Sequence, residues 1–137
     1  MCIFIGSEEG ILKYISIDGD DVGQKITSFY LSNNGDELKK LSLALKKSTE
    51  SISNELVGNG FNVIFCAADG VVASIEIDVD FKEIFKKINI LAPKGITFSA
   101  GVGTSLKEAY IALISAKSNG KNCLHEYAKL DEYKQES

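Results

Sequence analysis

The pattern of apolar and polar positions switches repeatedly between a period of two and a period near 3.6. Residues 13–18 read as a strand, with Ile15 and Ile17 on one side and Tyr14, Ser16 and Asp18 on the other. Val22, Ile26, Phe29 and Tyr30 have helical spacing, and Asn33-Asn34-Gly35 breaks that helix. A longer helix follows with Leu38, Leu41, Leu45, Ile52 and Leu56 on one stripe, until Gly58 and Gly60 stop it. Residues 61–68 and 71–78 are predicted to pair as a hairpin, with Val71, Ala73, Ile75 and Ile77 sharing a face. Asp69-Gly70 lies between them, Gly70 supplying the positive φ of the turn. Asp80 and Glu83 form a capping box for a third helix carrying Ile84, Ile88 and Leu91. Residues 96–101 read as a strand. Ser105 and Glu108 cap a fourth helix, with Ala109, Ala112, Leu113 and Ala116 inward, and Asn119-Gly120 ends it. Residues 122–127 suit a last, edge strand, and the charged tail 129–137 is expected to fray. The order contains a βαββαβ unit, which predicts an α+β, ferredoxin-like palm domain over residues 13–128 with a mainly antiparallel sheet and helices on one face. Residues 1–12 are expected to form an arm or an extra strand.

Composition narrows the chemistry. The 137 residues, 45% hydrophobic and 25% charged, suit one soluble domain. No apolar run approaches the roughly 18 residues of a membrane span, and the N-terminus lacks a signal-peptide pattern, so a cytoplasmic protein without direct membrane insertion is expected. The net charge of -4 argues against a broad nucleic-acid surface, though not against a small phosphorylated ligand. Cys2, Cys66 and Cys123 have no metal-ligand spacing and read as free thiols. His125 is the single histidine, which excludes catalysis built on several of them and disfavours a zinc site.

Two bursts of acid remain. Y-I-S-I-D-G-D-D-V-G (residues 14–23) ends an apolar strand, and I-F-C-A-A-D-G-V-V-A-S-I (residues 64–75) places Asp69 at the hairpin turn. In the predicted topology the first strand and the hairpin are neighbours, which brings Asp18 and Asp69 onto one face. Two carboxylates with a backbone carbonyl, here Gly19, suit Mg²⁺, with Mn²⁺ as its substitute, because these ions take hard oxygen ligands and share them with substrate phosphates. Asp20-Asp21-Val22-Gly23 opens a helix, whose free N–H groups suit phosphate oxygens. Each part also has a plainer role: Asp20 and Asp21 as helix caps, Asp69 as a turn former, Lys117 and Lys121 as helix-end cations. Asp18 is harder to explain so, since an acid ending an apolar strand is costly unless paired or liganded.

Residues 96–122, I-T-F-S-A-G-V-G-T-S-L-K-E-A-Y-I-A-L-I-S-A-K-S-N-G-K-N, resemble the C-terminal half of GGDEF-type nucleotide cyclases, and A-A-D-G-V falls where G-G-D-E-F would be. D-G-D-D-V-G is more similar to the polymerase-like palm of type III CRISPR large subunits. A free-standing palm of this size resembles the minimal CRISPR polymerases, mCpol. The resemblance spans about residues 13–125. It implies an Mg²⁺-dependent nucleotidyltransferase that converts ATP to a cyclic dinucleotide of the 2′,3′-cyclic di-AMP type, as a homodimer, in anti-phage signalling read by a separate membrane effector. It also implies metal ligation by Asp18, the Gly19 carbonyl and Asp69, with Asp21 second in line. The amides of Asp21, Val22 and Gly23, with Lys117 and Lys121, would hold the β- and γ-phosphates. Ile26 and Asp36 occupy the base-contacting positions.

The sequence departs from the GGDEF pattern at three places. Gly70 replaces the second acid, Ala67 and Ala68 replace both glycines, and Ile26 stands near a guanine-reading Asn, which leaves adenine open. Two other readings stay open: a degenerate palm that binds nucleotide without turnover, and a hydrolase like the archaeal GTP cyclohydrolases of palm-like fold.

Overall fold

The computed structural model describes residues 10–136, with side chains through Tyr133. Most of the proposed N-terminal arm, with Cys2, therefore lies outside the described residues. The elements are β1 (Lys13–Gly19), α1 (Val22–Leu31), α2 (Gly35–Gly58), β2 (Asn62–Ala67), β3 (Gly70–Ile75), α3 (Phe81–Ile90), β4 (Phe98–Gly103), α4 (Leu106–Ser118), β5 (Leu124–Glu126) and α5 (Leu130–Glu136). The five strands form one sheet in the order β2-β3-β1-β4-β5, antiparallel except for the β4–β5 pair. This is the α+β palm-like fold expected from the pattern. No described helix is long and apolar enough to cross a membrane.

Strand alternation decides which side is packed. Ile15 and Ile17 of β1, Val71 and Ala73 of β3, and Phe98, Ala100 and Val102 of β4 face one way and are buried with Ile52 and Leu56 of α2 and Ile84 and Ile88 of α3. Helices α2 and α3 thus share one face, but the expectation that the domain's helices all lie on one face does not hold. The further helix α4 lies on the other face, against Gly101 and Gly103. A Cβ on Gly101 would come within 2.1 Å of the Leu113 backbone nitrogen and 2.2 Å of the Ala109 carbonyl. Small residues on both sides, Gly101 and Gly103 below and Ala109, Ala112 and Ala116 above, let this helix sit at backbone contact.

The structure corrects several local expectations. β3 ends at Ile75, so Ile77 lies beyond the strand and is exposed. β4 begins two residues later than expected, and β5 is shorter, though it is an edge strand. Past Lys129, where a fraying tail is expected, α5 follows, and Tyr133 stacks on His125 and accepts a hydrogen bond from the Glu126 N–H at 3.0 Å. In the hairpin the positive φ belongs to Ala68, at 52°, rather than to Gly70. A left-handed alanine costs about 1–2 kcal/mol. Ala68→Gly is therefore expected to raise stability by about 1 kcal/mol, the reverse of the usual sign for this exchange in regular structure. Thermal denaturation of the variant checks this.

Candidate functional site

The end of β1 fixes the first carboxylate. Asp18 pairs with Gly70 on one side and Ser99 on the other, and its side chain shares the α4 face with Ser16 and Ser99. One residue later, the Gly19 N–H donates to the Asp69 carbonyl at 3.0 Å, tying β1 to the hairpin turn. A Cβ on Gly70 would lie 3.4 Å from Asp18 Oδ1, and one on Gly19 would lie 3.4 Å from Asp69 Oδ2. Gly70 therefore serves close approach beside an acid, not turn geometry. Burial first, and then the Asp69 charge, push the Asp18 carboxyl above its ordinary value despite its contact with Lys117. A cation between these carboxylates would relieve that repulsion.

Asp20 does something else. Its side chain is 3% exposed and accepts four hydrogen bonds. Thr97 Oγ1 donates to Oδ2 at 2.6 Å, Ser99 Oγ to Oδ1 at 2.8 Å, the Asn122 N–H to Oδ2 at 3.0 Å, and Lys117 Nζ to Oδ1 at 3.2 Å. Burial alone would raise its pKa, but these donors outweigh it and hold the carboxyl below the usual range. Neither Asp20 nor Asp21 caps α1, contrary to the plainer reading of both. Asp21 sits at the N-cap with a left-handed φ of 59° and no side-chain cap, and it binds Lys121 instead. The first turn of α1 is thus not closed by a cap side chain. A Cβ on Gly23 would meet nothing within 4 Å.

The lysines arrive from the opposite chain end. Close packing of α4 on β4 carries Lys117 over the end of β1. There its ammonium donates to the Gly19 carbonyl at 2.9 Å and lies 3.2 Å from Asp18 Oδ2 and from Asp20 Oδ1. Burial disfavours its charge, but Asp18 and Asp20 more than compensate and raise its pKa. Gly120, Lys121 and Asn122 then take three consecutive positive φ angles of 107°, 63° and 51°. Asp20 holds this strained loop through Asn122, and Asp21 holds it through Lys121.

Asp20→Asn should accordingly cost about 3 kcal/mol at neutral pH, since it removes the charge that faces Lys117 and turns one of two acceptor oxygens into an amide NH₂ aimed at buried donors. The ionised Asp20 stabilises the fold fully above the ordinary carboxylate value of 3.8 and loses that contribution as pH falls through its lower folded value. The gap between wild type and variant should therefore narrow in acid, as denaturant titrations at pH 7 and below pH 4 would show.

On the other side of the hairpin turn lies a largely apolar cleft of about 540 Å³ between α1, α2 and residues 66–69. Ile26 and Val22 form one wall, Leu41 and Leu45 another, and Ala67 and Ala68 the floor. The structure brings Asp18, Gly19, Asp69, Asp21, Val22, Lys117 and Lys121 to one end of the sheet and places Ile26 in the adjoining cleft. Asp36 does not line that cleft; it lies in the first turn of α2. Sequence reasoning missed Asp20's buried role and also Ser42, Lys46 and Glu50, polar residues of α2 along the cleft. Their i, i+4, i+8 spacing was a usable signal for the latter.

Among the described residues no cluster of three or more His, Cys, Asp or Glu side chains could hold a metal. The donor set of Asp18, Asp69 and the Gly19 carbonyl fits a hard divalent cation that completes its shell with substrate phosphates. It does not fit a stand-alone structural metal.

Comparison with known proteins agrees with this fold. The active GGEEF domain of a diguanylate cyclase from Vibrio cholerae is similar with a TM-score of 0.58 at 18% identity, covering 85% of this chain and 82% of that one. The GGDEF domain of DgcB from Caulobacter crescentus, in complex with c-di-GMP, gives 0.62 at 11% identity over 90% and 81%. A Csm1–Csm4 cassette in complex with cA4 gives 0.66 at 16% identity, over 82% of this chain and 20% of that one. At such identities the likeness establishes a shared palm fold. No curated protein matches the chain. The family model described as the minimal CRISPR polymerase domain, mCpol, matches residues 14–127, and the chain belongs to that family.

Proposed function

We propose that the protein is a nucleotidyl cyclase that joins nucleoside triphosphates, ATP by preference, into a cyclic dinucleotide with release of pyrophosphate. The observation that carries this reading is the convergence of Asp18, the Gly19 carbonyl and Asp69 at one end of the central strands, beside an uncapped helix start and an apolar cleft.

Asp18 and Asp69, with the Gly19 carbonyl, would hold Mg²⁺ or Mn²⁺, which supplies charge neutralisation at the α-phosphate and the leaving pyrophosphate. The chain does the rest. The amides of Asp21, Val22 and Gly23 point the positive end of α1 at the β- and γ-phosphates. Lys117 and Lys121 add two ammoniums to the same anion. The base enters the cleft against Ile26, with Ala67 and Ala68 small enough to admit it. Ile26 offers no paired donor and acceptor for a guanine edge, and Asp36 lies off the cleft, which supports adenine. The 2′- or 3′-hydroxyl of a second nucleotide attacks the α-phosphorus; a new P–O bond forms as the bond from that phosphorus to the bridging oxygen breaks, pyrophosphate leaves, the hydroxyl proton passes to water, and a second such displacement closes the ring. A facing protomer would present that second nucleotide, which makes a homodimer the working unit. Signalling to a membrane effector in anti-phage defence remains part of the same proposal, from the family resemblance.

Pyrophosphate release from each nucleoside triphosphate, with Mg²⁺ and with a chelator, tests the reading. Release that is metal-dependent and greatest with ATP supports it. Orthophosphate release from GTP would favour the hydrolase. Nucleotide binding with neither product would favour a palm that binds without turnover.

A further inference from the structure

Lys117 occupies a position with a consequence for how the site loads. Its ammonium lies 2.9 Å from the Gly19 carbonyl oxygen and 3.2 Å from Asp18 Oδ2. These are two of the three groups that the cyclase reading assigns to the divalent cation, so the inference rests on that reading. An ammonium hydrogen-bonded to both oxygens and a cation bonded to both claim the same space, and their charges repel. Asp20 holds the third contact, at 3.2 Å, from a side chain locked by Thr97, Ser99 and Asn122. The ammonium can therefore let go of Asp18 and Gly19 while Asp20 still anchors it.

We propose that Lys117 is a built-in counter-cation, which neutralises Asp18 and the Gly19 carbonyl in the unliganded protein and yields them to the divalent cation only when a triphosphate arrives to receive the ammonium. The device makes cation and nucleotide bind cooperatively. A bare cation must evict Lys117 into a site with no new anion to meet it. A cation entering with a triphosphate moves the ammonium from two oxygen partners to phosphate oxygens. By linkage, the factor by which nucleotide tightens the cation equals the factor by which the cation tightens nucleotide. The same contacts offset the repulsion between Asp18 and Asp69. The buried anchor at Asp20 distinguishes this lysine from Lys121, whose partner Asp21 is half exposed.

Mn²⁺ binding followed by electron paramagnetic resonance tests this without turnover. Wild type, Lys117→Gln and Lys117→Met are titrated with Mn²⁺ alone and with Mn²⁺ plus α,β-methylene-ATP, after circular dichroism has confirmed folding. The two replacements differ in polarity, so one folded variant suffices. Removing the ammonium is expected to tighten bare Mn²⁺ binding at least tenfold and to reduce the further gain from nucleotide. Asp18→Asn is expected to abolish that tightening in the Lys117→Gln background. Bare Mn²⁺ binding that is equal or weaker in both lysine variants would overturn the proposal. Should both variants fail to fold, wild type alone still decides: Mn²⁺ binding to the protein that is not tightened by α,β-methylene-ATP overturns it. No Mn²⁺ binding by any form, with or without nucleotide, would overturn the cyclase reading and this inference with it.

Discussion

Asp69→Ala is expected to reduce turnover by at least about 10³-fold while leaving the fold intact, because in the proposed mechanism its carboxylate helps hold the cation that would neutralise the developing charge of the reaction. The side chain stands at a partly exposed turn, and the tie between the turn and β1 runs through the Asp69 backbone carbonyl, which alanine keeps. Removing its charge also relieves a repulsion that raises the Asp18 pKa. The melting temperature should therefore hold or rise slightly, within about 2 °C on the scale where 1 kcal/mol moves a domain of this size by roughly 4 °C. Pyrophosphate release and a thermal melt on the same preparation read both quantities. A variant that melts early would make Asp69 structural. One that keeps its turnover would remove it from the chemistry.

Gly101→Ala is expected to give the largest loss of stability of any single methyl group added to the described glycines. The new Cβ would lie 2.1 Å from the Leu113 nitrogen, 2.2 Å from the Ala109 carbonyl and 2.7 Å from the Ala112 carbonyl carbon, all backbone atoms that no rotamer change can move. Either α4 lifts from β4 or the strand shifts. The expected cost is about 4 kcal/mol, above the ordinary overpacking range because backbone must give way. That corresponds to a fall in melting temperature of roughly 15 °C. Lifting α4 also withdraws Lys117 from Asp18 and Gly19, so nucleotide affinity should fall in whatever fraction stays folded. Gly23 offers the contrast: its added Cβ meets no atom within 4 Å. A Gly101→Ala protein as stable as wild type would show that α4 does not pack as closely as described.

Much of the fold was legible because alternation is a local signal. The buried positions of β1 and β3, the α2 stripe and the inward alanines of α4 follow from period alone. The pairing of Asp18 with the strand after Asp69 followed from topology, since β1 lies beside β3 in a βαββαβ sheet. What local pattern could not carry was long-range. Asp20 looks like any polar residue before a helix, and its role depends on Thr97, Ser99, Lys117 and Asn122, some 77 to 102 residues away. The left-handed turn residue was misassigned to Gly70 because Asp-Gly is such a strong hairpin signal. In the structure the left-handed residue falls two positions earlier, on Ala68, and the glycine makes room for Asp18. Asp36 illustrates the limit of carrying a position over by motif: it keeps its place at the start of α2, but the cleft wall begins at Leu38 and runs the other way along the helix.

The most direct test of the central claim is to identify what the protein makes. Purified protein is incubated with ATP and Mg²⁺ beside an Asp18→Ala/Asp69→Ala control, and the products are resolved by mass spectrometry and linkage-specific nuclease digestion. The account predicts a cyclic dinucleotide from ATP, absent in the control. ATP recovered unchanged from the wild-type reaction, or the same product formed by the control, would contradict it.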